Sequence, residues 1–216
     1  MSDSAETSVP PAAVDAARSG RLMRAATYAS VSVASALIAA KLAAWALTDS
    51  VAMLSALIDS LLDAFASIVN LVAVRHALQP ADREHRFGHG KAEALAGLGQ
   101  STFIAGSAIF LLFKAVPRLA EPVAVENSSA GIAVMVLAIV VTLALVLFQR
   151  HVVRVTGSQA IAADSLHYRS DLLLNLSVIV ALVLSVGVGW HMADPLFAIG
   201  IAFFVMYSAW KILQRS

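Results

Sequence analysis

Five ionisable side chains stand inside long apolar stretches of this chain: Asp59, Asp63, Asp164, His167 and Asp171. Charge in hydrocarbon is costly, so such residues mark sites of function unless something pairs them. Four of the five form a pattern. Asp59 and Asp63 are four apart, and so are His167 and Asp171, a spacing that brings both members of a pair onto one helical face. Two carboxylates on adjacent turns repel each other in a low-dielectric medium, and a divalent cation relieves that conflict. Three carboxylates and one neutral imidazole make a four-ligand oxygen and nitrogen shell, which suits tetrahedral zinc. Imidazole also serves iron, copper and nickel, whereas an all-oxygen shell leans towards magnesium, calcium or manganese. The set therefore points to zinc, ferrous iron or cadmium. Asp164 lies nearer the end of its stretch, within reach of water.

The same groups supply a coupling device. Ligands hold a metal only when deprotonated, so metal binding releases protons and protonation releases metal. Imidazole titrates in the physiological range. Exchange of protons for metal at a single site is the mechanism this chemistry suggests. A plainer reading pairs Asp59 or Asp63 with Lys41 or Arg169, the two basic residues inside the apolar stretches, and leaves His167 as a packing residue between helices.

The elements that must position these groups follow from composition. The chain has 216 residues, of which 59% are hydrophobic and 13% charged, against about 25% charged in an ordinary soluble domain. Six stretches have the roughly 20 apolar residues that a membrane crossing needs: 22–47, 51–78, 92–116, 130–148, 158–188 and 192–213. Loop chemistry divides them, including Thr48-Asp49-Ser50, Gln79-Pro80 and Gly157-Ser158. The expected fold class is an all-α integral membrane protein, a bundle of six transmembrane helices in the plasma (inner) membrane, surrounded by lipid. Arg18, Arg21, Arg24, Arg75, Arg83, Arg86, Lys91, Arg150, Arg154, Lys211 and Arg215 fall on one side of it, and only Lys114 and Arg118 on the other. The positive-inside rule then puts both termini in the cytoplasm. Counted at 1.5 Å per residue, both ligand pairs lie roughly 13–21 Å from the entry ends of their helices, near the bilayer middle.

Residues 1–20 are polar, lack the apolar core of a signal peptide, and read as a disordered cytoplasmic tail ahead of a membrane domain spanning 21–216. The net charge of +1 offers no footprint for nucleic acid. The absence of cysteine removes disulfides, thiolate metal sites and cysteine nucleophiles together. There is no His-Glu-x-x-His motif to support an intramembrane hydrolase, so an enzyme is not expected. Asn70 and Asn175 lie on about the same faces as the ligand pairs, where they either extend a polar path or hydrogen-bond between helices.

Leu57-Ile58-Asp59-Ser60-Leu61-Leu62-Asp63, Leu78-Gln79-Pro80-Ala81-Asp82, Phe87-Gly88-His89-Gly90-Lys91-Ala92-Glu93 and Ala163-Asp164-Ser165-Leu166-His167-Tyr168-Arg169-Ser170-Asp171 together resemble the cation diffusion facilitator family. The closest likeness is to its bacterial ferrous-iron and zinc efflux branch, in order and spacing from about residue 21 onwards. The resemblance implies a homodimeric, six-helix, proton-coupled exporter of divalent transition metals that works by alternating access. Asp59, Asp63, His167 and Asp171 would be its transport site, and Asp82, His85 and His89 a subsidiary metal site in the cytoplasmic loop. Spacing alone makes that second cluster a weak signal, because a solvated loop accounts for it equally well. Family members continue into a cytoplasmic ferredoxin-like domain. This sequence ends at Ser216, so the resemblance implies a membrane domain without that module, as a truncation or as a short natural form. A passive cation channel and a non-transporting metal sensor or assembly subunit are the rival functions.

Overall fold

The computed structural model describes residues 11–48, 51–80, 83, 86, 88–120, 129–188 and 192–214. Among these, all regular structure is helical: α1 (Pro11–Thr48), α2 (Val51–Ala77), α3 (Lys91–Ala115), a single turn α4 (Pro117–Ala120), α5 (Ser129–Thr156), α6 (Gln159–Val188) and α7 (Ala193–Leu213). Two boundaries differ from the expected ones. The tail expected over 1–20 is helical from Pro11 onwards. Proline suits the first helical position, and Ala12, Ala13, Ala16 and Ala17 favour the helix behind it. The fourth stretch, expected to end at 148, continues to Thr156, because apolarity ends there but helix propensity does not.

Gly157 stops α5. It takes φ +68°, the left-handed conformation that glycine adopts without a steric penalty, and its N–H donates to Val153 O at 2.8 Å. Ser158 then caps α6, its Oγ accepting from the Ile161 N–H at 3.2 Å. This tight turn sets where α6 enters the bundle. Gly97 of α3 permits a close approach nearby, since a Cβ there would lie 3.4 Å from the backbone of Gln159.

Among the described residues, five helices are long and apolar enough to cross a membrane: α1, α2, α3, α5 and α7, through 17–47, 56–77, 91–113, 132–156 and 195–213. They make the chain a multi-pass membrane protein. The fifth expected span, α6, is 30 residues long but carries Asp164, His167, Arg169 and Asp171. Its position accounts for that polarity. α6 packs against α1, α2, α3, α5 and α7, and its side chains from Ala163 to Tyr168 are all buried. Phe65, Val72, Leu95, Phe113 and Phe203 instead point outwards from the other helices, as lipid-facing residues do.

Asp164 is fully buried rather than near water, and it anchors a four-helix network. Gln149 of α5 donates from Nε2 to its Oδ2 at 2.7 Å. Gln100 of α3 donates to Oδ1 at 2.9 Å, and Ser30 of α1 lies 2.6 Å from Oδ2. One helical turn further on, the Tyr168 hydroxyl meets Ser67 Oγ of α2 at 2.9 Å and donates to Ser30 O at 3.1 Å. α6 is thereby fixed in rotation by partners on four other helices. Replacing Gln149 with Leu removes a buried donor from an ionisable oxygen. The expected cost is about 1–3 kcal/mol, read as a lower melting temperature in detergent. An unchanged melting temperature would show that the network does not stabilise the bundle.

Candidate metal site

Asp63 comes from α2, and His167 and Asp171 come from α6. Asp63 Oδ1 lies 3.0 Å from His167 Nε2, and Asp171 Oδ2 lies 3.7 Å from the same nitrogen. One ligand atom from each of the three residues falls within 4.8 Å of the others. His167 Nε2 is buried, yet it forms no well-aimed hydrogen bond despite the short distance to Asp63. Three potential ligand atoms within 4.8 Å of one another, from two carboxylates and one imidazole, are close enough to share one metal ion.

The helix directions follow from contacts. Asp63 meets His167 and Asp171, and Ser67, one turn further along α2, meets Tyr168. Val74, further along α2, packs with Ala160 and Ile161 near the start of α6, so residue numbers rise along one helix as they fall along the other and α2 and α6 run antiparallel. The i, i+4 spacing within α6 stacks His167 above Asp171, and the antiparallel neighbour brings Asp63 between them.

Asp59 stands apart. It is exposed and outside the compact cluster, one turn from Asp63. It nevertheless lines both cavities that meet at the site. One, of about 200 Å³, lies among α1, α2, α5 and α6 and is lined by Lys41, Asp59, Asp63, Asp171 and Asn175. The other, of about 310 Å³, lies among α2, α3, α6 and α7, with Asp59, Asp63, Phe103, His167 and Asp171 in its wall. Asp59, Asp63 and Asp171 belong to both.

The plainer pairings find other partners. Arg169 holds its guanidinium over the Phe204 ring, 5.8 Å from the centroid. Lys41 Nζ donates to Ser60 Oγ at 2.6 Å and to Ala56 O at 3.2 Å. Asn175 lines the smaller cavity, whereas Asn70 is buried with neither amide atom hydrogen-bonded among the described residues. Of the expected loop cluster, Asp82 and His85 lie outside the described residues. His89 is buried, with its ring edge-on to His76 at 4.5 Å.

Sequence reading missed the network around Asp164. Its signal was two glutamines, Gln100 and Gln149, inside otherwise apolar helices, each needing a buried partner. The compact cluster predicts graded zinc binding. Asp63→Ala, His167→Ala and Asp171→Ala are each expected to weaken binding roughly 100-fold or more, and Asp59→Ala roughly tenfold, by titration calorimetry of purified protein. A uniform loss across all four would contradict that grading.

Residues 27–216 match the family model described as the cation efflux transmembrane domain. The chain is 52% identical to a cation-efflux pump FieF of Klebsiella pneumoniae over 193 residues, which are 89% of this chain and 64% of that pump. It is 51% identical to a cation-efflux pump FieF of Salmonella agona, with the same shares. The chain thus spans a little under two thirds of the length of these curated relatives. Both relatives are named as pumps, not as enzymes. With the family model covering nearly all of the helical bundle, the chain belongs to the cation diffusion facilitator (cation efflux) family.

Proposed function

We propose that this chain carries divalent transition-metal cations, of the class of Zn2+, Fe2+ and Cd2+, out of the cytoplasm in exchange for protons. The observation that carries the reading is the convergence of Asp63, His167 and Asp171 within 4.8 Å, where α2 meets the enclosed helix α6. The relatives' printed names, as cation-efflux pumps, support export as the direction. In this reading the Asp59 side chain, one turn from Asp63 on the same face of α2, turns towards the ion to complete a four-ligand shell, and Asp82, His85 and His89 hold a second metal in the loop. α6 is the sixth span, both termini face the cytoplasm, and two copies form the working unit.

The chemistry of the ligands supports proton exchange. Carboxylates and imidazole hold either protons or metal, so a proton gradient drives metal off a site exposed to the more acidic side. Alternating access is supported by an asymmetry around the site. Both cavities reach it past Asp59, on the side of α2 nearer Val51. On the other side, Met23, Ala26, Val74, Val152, Ala160 and Ile161 pack into a closed apolar cluster. That packing corresponds to an outward-facing arrangement under the proposed topology. Release of the ion outwards precedes separation of this cluster, since only one route is open at a time.

Reconstitution tests the whole reading. Proteoliposomes with an imposed pH gradient are expected to transport zinc several-fold faster than those without one, with Asp63→Ala and His167→Ala reduced to background. Cadmium, iron and manganese run in parallel rank the metals. Flux that ignores the pH gradient would refute proton exchange and favour a channel. No flux from well-folded protein that binds zinc would refute transport and favour a sensor.

A further inference from the structure

A fixed positive charge lines the same cavity as the proposed ion site. Lys41 of α1 shares the wall of the 200 Å³ cavity with Asp59, Asp63 and Asp171. It sits seven residues before the end of α1 at Thr48, about 10 Å along the helix axis. A lysine at that depth ordinarily snorkels towards the membrane surface. This one turns sideways instead, and its ammonium is held by two acceptors on α2, Ser60 Oγ at 2.6 Å and Ala56 O at 3.2 Å. Among the described residues it forms no ion pair with a carboxylate, although Asp59 is the immediate neighbour of Ser60. The charge is tethered beside the acidic cluster without being neutralised by it.

Such a placement has an electrostatic consequence. Carboxylates and an imidazole gathered inside a membrane bundle attract a divalent ion strongly, and low-dielectric surroundings screen that attraction less than bulk water does. An ion held too firmly does not leave. A fixed ammonium in the same cavity repels the bound ion and offsets part of the carboxylate field. We propose that Lys41 is a positioning charge that sets how tightly the Asp63, His167 and Asp171 site holds its ion, keeping affinity low enough for release. This rests on the reading of that cluster as the ion site. Ser60 and Ala56 hold the ammonium so that its distance from the site stays constant.

A purely structural lysine, tying α1 to α2, predicts the opposite sign. Its removal would loosen the site and weaken binding, whereas removal of a repelling charge tightens it. The test is calorimetric titration of Zn2+ into purified full chain, alongside zinc flux in proteoliposomes. Lys41→Gln and Lys41→Met are expected to bind zinc about tenfold more tightly than the parent. In flux, both KM and the maximal rate should fall, because release becomes slow. Lys41→Arg keeps the charge and should bind within about threefold of the parent. Unchanged or weaker binding in a folded neutral variant would overturn the proposal. If neither neutral variant folds, a tenfold change in affinity in Lys41→Arg would overturn it instead, and parent-like affinity there would support it. Asp63→Ala separates the two readings. Parent-like zinc binding in that variant would sink the ion site and Lys41 together. Loss of binding there, without tightening in Lys41→Gln, would sink only the role given to Lys41.

Discussion

Ionised groups inside a bilayer cannot be left to face the acyl chains, and that desolvation cost shapes this bundle. α6 carries Asp164, His167, Arg169 and Asp171 within eight residues, too many for a helix exposed to lipid. The only arrangement that relieves all of them surrounds α6 with protein, and five of the other helices do so. The apolar faces of those neighbours then turn outwards. Phe65, Phe113 and Phe203 are exposed for the same reason that Asp164 is buried.

Within this arrangement, two acidic centres about one turn apart along α6, one fully buried and one partly open, are treated differently. Asp164 is surrounded by neutral donors, Gln100, Gln149 and Ser30, each from a different helix. Those bonds satisfy its oxygens from fixed directions and lock the rotation of α6. Among the described residues Asp63, His167 and Asp171 have no comparable set of donors, and the ring nitrogen meets Asp63 at 3.0 Å without a well-aimed hydrogen bond. A satisfied carboxylate makes a structural joint. An under-satisfied cluster with cavities on two sides makes a place where a cation is worth more than another hydrogen bond. The rigid joint beneath the open cluster keeps two of its ligands, His167 and Asp171, in register on one helix.

The turn between α5 and α6 completes the support. Left-handed Gly157 and the Ser158 cap reverse the chain within three residues, so α6 starts its climb at a fixed height against α5. That height brings Asp164 level with Gln149, fifteen residues earlier.

The amino-acid sequence by itself determined the membrane class, the extents of most helices and the identity of the ligand candidates. Each depends on local chemistry, on runs of apolar residues, on glycine and proline breaks, and on two i, i+4 pairs whose geometry any α-helix enforces. The motif resemblance to cation diffusion facilitators was legible for the same reason, since it rests on short contiguous segments. Tertiary structure decided which of those candidates meet. Asp63, His167 and Asp171 converge while Asp59 remains a turn away, a distinction that depends on the relative height of two helices more than one hundred residues apart in the chain. It also decided that Lys41 reaches Ser60 rather than a carboxylate, and that Gln149 belongs to Asp164. Long-range register and side-chain direction arise from packing against several helices at once, and no periodicity within a single helix encodes them.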